Sequence, residues 1–498
     1  MQGAIAQAAN CNRNRIIMQL SPVLNILGLL ATILAAAMLI PMGVDLYTGS
    51  DDWQIFALAA LLTGFVGVSV WLATNQRDTL DLGLRQAFLL TNGSWVMIGI
   101  FGALPFMFSE LDLSFTDSVF ESVSGITTTG STILVEIEQA SPGILIWRAL
   151  LQWLGGVGIV VMAMAVLPML SVGGMQLFRT ESYERAENVV PRATQLAGGI
   201  GLVYTGLTAL WAVMLALAGM DTFDAVAHSM TTLATGGYST RTESIGAFDS
   251  VAVEWIIITG MIVGSLPFAH YLAMVRGGWR SLLNDPQVRL FLILAVGLVL
   301  LLIWHLMQTG LGFGQAVRQA SFNGVSIMTG TGYVSANFSA WGGFATTILL
   351  IVMFIGGCGG STTCGIKVFR LQVLASTAKV QISRLLRPHA VVLAYYNKRP
   401  VSVEVMDSVM GFFYLFILGF VLTAIMLGIA GLDFVTALSG AATSISNVGP
   451  GLGEVIGADG NFSTLPDSAK WIMTFAMLLG RLEIFTVLVM LNPAFWQR

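Results

Sequence analysis

The stretch that decides the fold is a 15-residue pattern that occurs in several copies. It reads DSVFESVSGITTTGS at residues 117–131, DAVAHSMTTLATGGY at 224–238 and TALSGAATSISNVGP at 436–450, and these three copies align without a gap. A fourth copy, ASFNGVSIMTGTGY at 320–333, has about one extra helical turn at its start. In each copy a helix rich in small residues leads to a Ser/Thr cluster and then to a glycine, which is Gly130, Gly237, Gly332 or Gly449. Recurrence at intervals of 107, 95 and 117 residues predicts an internal structural repeat.

The composition around these copies is that of a membrane protein. Of the 498 residues, 55% are hydrophobic and only 10% are charged, whereas ordinary soluble domains carry about 25% charged residues. This leaves the lipid bilayer as the solvent and excludes an ordinary soluble protein. Apolar runs of spanning length predict helices near 22–42, 54–74, 86–106, 144–168, 196–219, 253–275, 288–308, 341–357, 407–430 and 469–492, with a less apolar helix near 366–385.

The repeated segments themselves are too short to span a bilayer. Their helical parts, near 115–128, 222–235, 316–330 and 434–446, have 13–15 residues, whereas a spanning helix needs about 20. Each lies between two spanning helices, and the second helix of each pair starts near a tryptophan, a residue that favours the membrane boundary: Trp147, Trp255, Trp341 and Trp471. We therefore predict an all-α polytopic membrane protein with four parallel helix–half-helix–loop–helix repeats around a pseudo-four-fold pore. Two extra N-terminal transmembrane helices occupy 1–80, and the repeats occupy 81–175, 176–280, 281–400 and 401–498.

Basic residues predict the orientation in the membrane. The loops 75–87, 170–195, 276–289 and 365–400, together with both termini, hold 18 of the 23 Lys and Arg residues. By the positive-inside rule these segments face the cytoplasm, so both termini are cytoplasmic. The opposite side carries many of the acidic residues. They are interpreted either as an acidic mouth that concentrates cations or as the charge that any polar loop needs.

Four such loops suit a dehydrated cation. Polar backbone inside a membrane is stable only where protein or water satisfies it. Inward-pointing carbonyls can replace the hydration shell of an ion, and glycine allows the sharp turn because it adopts positive φ freely. If each half-helix enters from outside, its negative C-terminal pole also faces the centre. A single loop of this kind would indicate only an ordinary Gly-rich turn. Four of them in equivalent places favour a cation pore.

The four segments resemble those of a known family. TTTG at 127–130, ATGG at 234–237, TGTG at 329–332 and SNVGPG at 446–451 resemble the filter segments of the Trk/Ktr/HKT potassium transporter superfamily. The two extra helices make the chain most similar to the bacterial TrkH/TrkG branch. GGCGGSTTCGIK at 356–367 is similar to the intramembrane gating loop of the family, and GRLE at 480–483 is similar to the Arg-bearing motif of its last helix. The resemblance covers roughly residues 20–495.

The resemblance implies potassium uptake across the bacterial inner membrane by a pore-forming subunit that is not an enzyme. It implies a homodimer, a cytoplasmic nucleotide-binding regulatory subunit similar to TrkA, contact with membrane lipid, no nucleic acid, and potassium as the only bound metal and transported ligand, without an organic cofactor. The implied filter residues are Thr128, Thr129, Gly130, Thr235, Gly236, Gly237, Gly330, Thr331, Gly332, Asn447, Val448 and Gly449. Some members with Ser in place of the first filter Gly admit sodium, so Gly in all four places favours potassium. A sodium-permeable or weakly selective transporter of the same superfamily is the alternative.

The Gly-rich segment 356–365 interrupts an apolar helix and is interpreted as a gate below the filter. Its alternatives are a kink or a cytoplasmic turn. Arg481 lies in the middle of an apolar helix, where a charge is costly, so it either forms an electrostatic barrier in the pore or donates hydrogen bonds to carbonyls of a broken neighbouring helix. Glu483 lies on another face and is not expected to pair with it. The predicted gating residues are Gly356, Gly357, Gly359, Gly360, Ser361, Thr362, Thr363, Gly365, Lys367 and Arg481.

Other features suggest lesser roles. The basic stretch 367–399 either docks a regulatory partner or anionic lipid, or only sets orientation. The histidines lack metal-ligand spacing, and His228 is expected to pack or form hydrogen bonds. Cys11, Cys358 and Cys364 are too few for a disulfide framework and are interpreted as small apolar fillers. An intramembrane enzyme is disfavoured because no nucleophile–base pair recurs, and a coupled secondary transporter is disfavoured because the repeats run in the same direction.

Overall fold

The computed structural model describes residues 20–74, 83–166, 173–174, 177, 189–275, 278 and 280–497. Within these ranges the chain is helical apart from loops and one antiparallel pair of two-residue strands, β1 (Tyr395–Tyr396) and β2 (Arg399–Pro400). The same ranges hold seven helices long and apolar enough to cross a membrane, or up to nine if each of two bent pairs counts as one span. The prediction of an all-α polytopic membrane protein is confirmed. The predicted cytoplasmic loops 75–87 and 170–195 and Cys11 lie wholly or largely outside the described residues.

The N-terminal pair consists of a long first helix and its antiparallel neighbour. The first helix runs through Ser21–Ala37 and Leu39–Thr48, and the second is Trp53–Thr74. The two cross closely at Gly28 and Gly67, because a Cβ on Gly28 would lie 2.8 Å from the carbonyl oxygen of Gly67. The pair packs on the outside of repeat 1.

In each repeat we call the helix before the half-helix the leading helix and the helix after the loop the trailing helix. The leading helices are Leu84–Gly102 with its continuation Leu104–Phe108, Val189–Leu217, Pro286–Gln308 and Val403–Ile429. The half-helices are Phe115–Ile126, Thr222–Leu233, Phe313–Met328 and Phe434–Ser446. The trailing helices are Pro142–Val161 with a π-helical end Met162–Val166, Val251–Gly264 followed by Phe268–Val275, Gly343–Val352, and Asp467–Arg481 followed by Phe485–Leu491. Half-helix 3 has 16 residues against 12, 12 and 13 in the others, so its predicted extra turn is confirmed.

The remaining elements are short, apart from the helix Val368–Leu386 that follows the Gly-rich segment, close to its predicted place. The short helices Ile137–Gln139, Ser244–Phe248 and Phe338–Trp341 follow the first three loops, Arg280–Asn284 precedes the leading helix of repeat 3, and Pro493–Trp496 comes last among the described residues. The domain boundaries proposed from the sequence stay predictions.

Three trailing helices differ from the continuous spans predicted at 253–275, 341–357 and 469–492. The second bends by 94° at 265–267, and the fourth bends by 113° at 482–484. Pro267 explains the first break because it lacks a backbone N–H and disfavours helix at the residue before it. Glu483 marks the other break with a positive φ of 60°. The third helix has only 10 residues, Gly343–Val352, because the Gly-rich segment follows it.

The four repeats pack in a ring. Half-helix 1 contacts trailing helix 4, half-helix 2 contacts trailing helix 1, and half-helix 3 contacts trailing helix 2, in addition to the helices of their own repeats. Half-helix 4 joins the same apolar core as trailing helix 3 through Ala442. Each half-helix is therefore held between two neighbouring repeats, and its C-terminal end points into the centre of the ring.

Candidate ion-binding site

The four loops that follow the half-helices share one backbone geometry. Loops 1 to 4 are defined here as residues 128–131, 235–238, 330–333 and 447–450. The first residue of each has positive φ: 53° at Thr128, 49° at Thr235, 66° at Gly330 and 54° at Asn447. The third residue also has positive φ: 88° at Gly130, 77° at Gly237, 81° at Gly332 and 113° at Gly449. Four sequences that differ at most positions therefore adopt the same turn.

A common hydrogen bond joins each loop to its half-helix. The backbone N–H of the second loop residue donates to the carbonyl five residues earlier, at 2.9, 2.9, 2.9 and 3.0 Å in loops 1 to 4. The four pairs are Thr129 with Ser124, Gly236 with Thr231, Thr331 with Ser326, and Val448 with Thr443. This bond closes the end of the half-helix and brings the second-residue carbonyl next to the neighbouring loop.

The loops close into a ring at their third residues. A Cβ built on Gly130 would collide with Gly236 O, one on Gly237 with Thr331 O, and one on Gly332 with Val448 O. A Cβ on Gly449 would lie 2.9 Å from Thr129 O, which completes the circle. Each third-residue glycine thus lies directly against the second-residue carbonyl of the next loop, in chain order. The glycines are required both for positive φ and for this close approach.

Side chains fasten neighbouring loops to one another. Ser131 Oγ donates to Gly449 O at 2.7 Å, and Asn447 Nδ2 donates to Thr129 Oγ1 at 2.9 Å. Tyr238 and Tyr333, the fourth residues of loops 2 and 3, reach back to the preceding half-helix. The Tyr238 hydroxyl donates to Glu121 O at 2.8 Å, and the Tyr333 hydroxyl donates to His228 O at 3.3 Å.

The site has a chemistry suited to cations. The hydroxyl and amide side chains of the loops are at most 4% exposed, so their polar groups face protein or the central space rather than lipid. Of the described residues, none donates a hydrogen bond to Thr129 O, Thr331 O or Val448 O. Carbonyl oxygens carry two lone pairs and can coordinate an alkali ion in place of water. No cluster of His, Cys, Asp or Glu with the geometry of a metal site occurs among the described residues.

A buried ion pair that the sequence analysis missed lies next to the loops. Arg148 Nε lies 2.8 Å from Glu121 Oε1, and both side chains are at most 1% exposed. Arg148 also donates to Ser239 O at 2.8 Å and stacks 4.1 Å from the centre of the Tyr238 ring. The only sequence feature that pointed to this ion pair is that Arg148 is one of the few basic residues outside the predicted cytoplasmic loops. The pair ties half-helix 1 to trailing helix 1 and to the segment after loop 2.

His228 occupies the position in half-helix 2 that Glu121 occupies in half-helix 1. Its Nδ1 lies 2.8 Å from Asp224 O, and its Nε2 lies 2.9 Å from Ser239 Oγ. Because a carbonyl can only accept, Nδ1 carries the proton and Nε2 accepts from the serine. The expectation that His228 forms hydrogen bonds is confirmed.

A small cavity of about 80 Å³ adjoins the loops. Gly130, Gly237 and Gly332 contribute to its wall, as do Arg148 and Arg241. Of the described residues, no Asp or Glu lines it. The acidic residues of the predicted external loops therefore do not line this cavity, and both interpretations of them stay predictions.

The Gly-rich segment 356–365 lies against the break in trailing helix 2. Cys358 N donates to Ser265 O at 3.0 Å, and Thr362 N donates to Gly264 O at 3.2 Å, so the segment binds carbonyls that the break leaves free. The Thr362 hydroxyl donates to Leu233 O at 3.0 Å and lies 3.2 Å from the hydroxyl of Thr235. The segment is thus buried beneath loop 2 rather than exposed as a cytoplasmic turn.

Arg481 bridges this segment and repeat 1. Its guanidinium donates to Thr362 O at 3.2 Å and to Gly155 O at 2.7 Å, and it contacts Cys364 Sγ at 2.6 Å. It is 1% exposed and stacks 5.3 Å from the ring of Trp95. The predicted donor role toward backbone carbonyls is confirmed, and the barrier role stays a prediction. Cys364 does more than fill space, since its sulfur accepts from this charge, whereas Cys358 is a buried free thiol.

Lys367 lies in a buried charged cluster with Glu483 and Arg370. Arg370 pairs with Glu483 Oε2, whereas Lys367 Nζ is 3.9 Å from Glu483 Oε1 and has no hydrogen-bond partner among the described residues. All three are at most 5% exposed. The prediction that Glu483 does not pair with Arg481 is confirmed, but its true partners were missed because their contact depends on the break at 482–484.

Comparison with known proteins places these features in context. Residues 53–498 match the family model for TrkH, described as a cation transport protein. The Trk system potassium uptake protein TrkI of Halomonas elongata is 44% identical over 96% of this chain and 97% of that protein. TrkH of Escherichia coli K12 is 36% identical over 96% of this chain and 100% of that protein. The crystal structure of the potassium transporter TrkH from Vibrio parahaemolyticus superposes with a TM-score of 0.88 at 36% identity, covering 96% of this chain and 100% of that one.

Proposed function

Because the chain belongs to the TrkH family of cation transport proteins, a family of Trk potassium uptake transporters, we propose that it is the pore-forming subunit of a potassium uptake system in a bacterial inner membrane. In this proposal potassium passes through a selectivity filter built from loops 1 to 4. The transported ion is the only metal involved, and the chain carries out no catalytic reaction.

The observation that carries the proposal is the closed ring of loops. Four second-residue carbonyls lie side by side around one centre, each against the glycine of the loop before it. A ring of carbonyls can replace the hydration shell of a cation. The twelve filter residues predicted from the sequence are the first three residues of each loop, so they are brought together as one group. Four half-helix ends with negative partial charge surround the same place and favour a cation over an anion.

Glycine at the third position of all four loops supports potassium rather than sodium as the preferred ion. A side chain at any of these positions would displace a carbonyl of the next loop and change the size of the ring. The relatives named above are potassium uptake proteins and a potassium transporter.

We further propose that the segment 356–365 is the gate. It lies directly beneath loop 2, where Thr362 contacts the base of the filter, and Arg481 holds it against repeat 1. Backbone bonds to 264–265 keep the segment in a closed position. Three glycines of positive φ, Gly356, Gly360 and Gly365, give it a shape that few other sequences adopt, and Lys367 just after it also has positive φ. Opening requires these bonds to break and the segment to leave the centre.

The remaining assignments follow the same proposal. The chain is a multi-pass membrane protein, and its basic loops support an orientation with both termini in the cytoplasm. Membership of a Trk system implies partnership with other Trk components. We propose that it acts as a homodimer under a cytoplasmic nucleotide-binding regulatory subunit similar to TrkA. The basic helix Val368–Leu386, which begins just after the gate, is the element suited to receive its signal.

The experiment that tests the proposal is ion flux into proteoliposomes containing the purified full chain. Potassium, rubidium, sodium and lithium are supplied in turn, and empty liposomes serve as the control. We expect potassium and rubidium to enter much faster than sodium and lithium. Sodium entry at the rate of potassium would refute the proposed selectivity and favour the sodium-permeable alternative.

A further inference from the structure

Loop 2 differs from the other three loops at its centre. Its second residue is Gly236, where the others have a β-branched residue, namely Thr129, Thr331 or Val448. In loops 1 and 3 that threonine also forms a hydrogen bond within its own turn, 2.7 Å to Thr127 and 2.8 Å to Thr329. Loop 2 has two consecutive glycines and no such side chain. Glycine loses the most conformational freedom on ordering, so this loop needs support from elsewhere.

The support comes from Gln152 on trailing helix 1. Its Nε2 donates to Gly236 O at 2.6 Å, and its Oε1 accepts from Tyr238 N at 3.0 Å. The side chain is fully buried. A Cβ on Gly236 would lie only 2.5 and 2.9 Å from the amide oxygen and nitrogen of Gln152. The glutamine amide therefore occupies the place that the threonine or valine side chain fills in the other loops.

Comparison within the chain shows that this glutamine distinguishes repeat 1 from repeats 2 and 4. Gly155, Gly264 and Gly480 are equivalent positions, because a Cβ on each would strike the carbonyl of the corresponding half-helix residue, at 126, 233 and 445. Three residues before these glycines stand Gln152, Met261 and Met477. A thioether cannot donate to a carbonyl. Of these three trailing helices, only the first presents an amide at this position.

We propose that Gln152 is a positioning residue for ion selectivity, which fixes the Gly236 carbonyl by bridging the peptide groups on the two sides of Gly237. The inference rests on the proposed function of the loops as a potassium filter. Two hydrogen bonds to a planar amide hold the carbonyl in direction as well as distance. A carbonyl has two lone pairs, so Gly236 O can accept from Gln152 and still face an ion. Without the Gln152 amide, the Gly236 carbonyl is free to move closer to a smaller ion such as sodium, and the filter then discriminates less against it.

The test measures the sodium-to-potassium permeability ratio of the full chain in proteoliposomes. The ratio is calculated from the reversal potential with potassium solution on one side of the membrane and sodium solution on the other. This ratio does not depend on how many molecules are folded or open, so a purely structural role would not change it. Gln152→Met removes both hydrogen bonds and keeps the volume. We expect the ratio to rise about three- to tenfold, the range covered by losing one net hydrogen bond. Gln152→Asn is too short to bridge both partners and should raise it in the same direction.

A paired rescue makes the test specific. Gln152→Ala alone should raise the ratio, and adding Gly236→Thr should lower it again, because the threonine then fills the vacated space as Thr129 and Thr331 do in their loops. Met261→Leu, at the equivalent position of trailing helix 2, is the control and should keep the wild-type ratio.

Different results would refute the proposed function and the role of Gln152. A wild-type protein that does not discriminate against sodium would refute the proposed function. A selective wild-type protein whose ratio is unchanged in Gln152→Met, or in Gln152→Asn if the first variant does not fold, would overturn the role of Gln152 alone.

Discussion

Gly237→Ala tests whether the closed ring of loops is needed for transport. Gly237 has φ of 77°, and its missing side chain leaves room for Thr331 O of the next loop. An alanine at this position is unfavourable for two separate reasons, backbone strain and a steric collision. The left-handed backbone costs an L-residue about 1–2 kcal/mol. In addition, the carbonyl of Thr331 must retreat by roughly 1.5 Å before the contact with the new methyl group becomes an ordinary one.

The second cost is the one that affects ion binding. Binding sites need their ligands held within about 0.5 Å of the productive geometry, so a carbonyl displaced by roughly three times that amount no longer contributes properly. We expect potassium uptake per folded molecule to fall at least about tenfold, which corresponds to about 1.4 kcal/mol in the barrier. The chain supplies a matched control in Gly49, which has φ of 80° and no atom within 4 Å of its would-be Cβ. Gly49→Ala has the same backbone cost without the collision.

The assay compares initial rates of potassium and sodium uptake for the two variants, normalised to the amount of folded protein in the vesicles. Gly49→Ala should transport like wild type even if its thermal stability decreases. Gly237→Ala should lose potassium transport or its preference over sodium. Equal rates and equal preference in both variants would refute the conclusion that contact between neighbouring loops sets the site.

Three further predictions concern the region beneath the loops. Deleting 358–363 removes most of the contacts that hold the proposed gate and should raise potassium flux in proteoliposomes; unchanged flux in a folded deletion variant would contradict the gate. Neutralising Arg481, as in Arg481→Gln, should raise flux per folded molecule if the charge is a barrier, whereas lower expression with unchanged flux would leave only its structural role. Glu483→Gln should lower the free energy of unfolding by about 3–5 kcal/mol, because it leaves Lys367 and Arg370 buried without a counter-charge. Thermal unfolding in detergent measures this, and Lys367→Met combined with Glu483→Gln should recover part of the loss.

Most of the architecture could be predicted because it depends on local pattern. The half-helices were found from short apolar segments that end in Ser/Thr and Gly, and the leading helices from long apolar runs. The breaks at 265–267 and 482–484 were missed, although Pro267 signalled the first of them. Spanning helices are recognised from the mean hydropathy of a long window. A break of only three residues inside an apolar run leaves that mean almost unchanged.

The site was predicted less completely, because its supporting contacts join distant parts of the chain. The glycines and their neighbours carried a recurring signal, whereas Gln152, Arg148 and Glu121 occur once each and have no repeat to mark them. Gln152 stands 84 residues from Gly236, and a lone polar residue in an apolar helix gives no indication of its partner. Internal comparison of the repeats, in which Met261 and Met477 take its place, becomes informative only after the glycines of the trailing helices have been aligned in space.

The breaks and the Gly-rich segment are best understood as one arrangement. A continuous trailing helix satisfies its own carbonyls and offers nothing to a segment lying beside it. Trailing helix 2 ends at Gly264, and its freed carbonyls at 264 and 265 accept hydrogen bonds from the segment. Trailing helix 4 ends at Arg481, which places that side chain against Thr362 and Gly155. The two bends missed from the sequence therefore supply the acceptors and the donor that hold the segment beneath the loops, and the proposed gate depends on both of them.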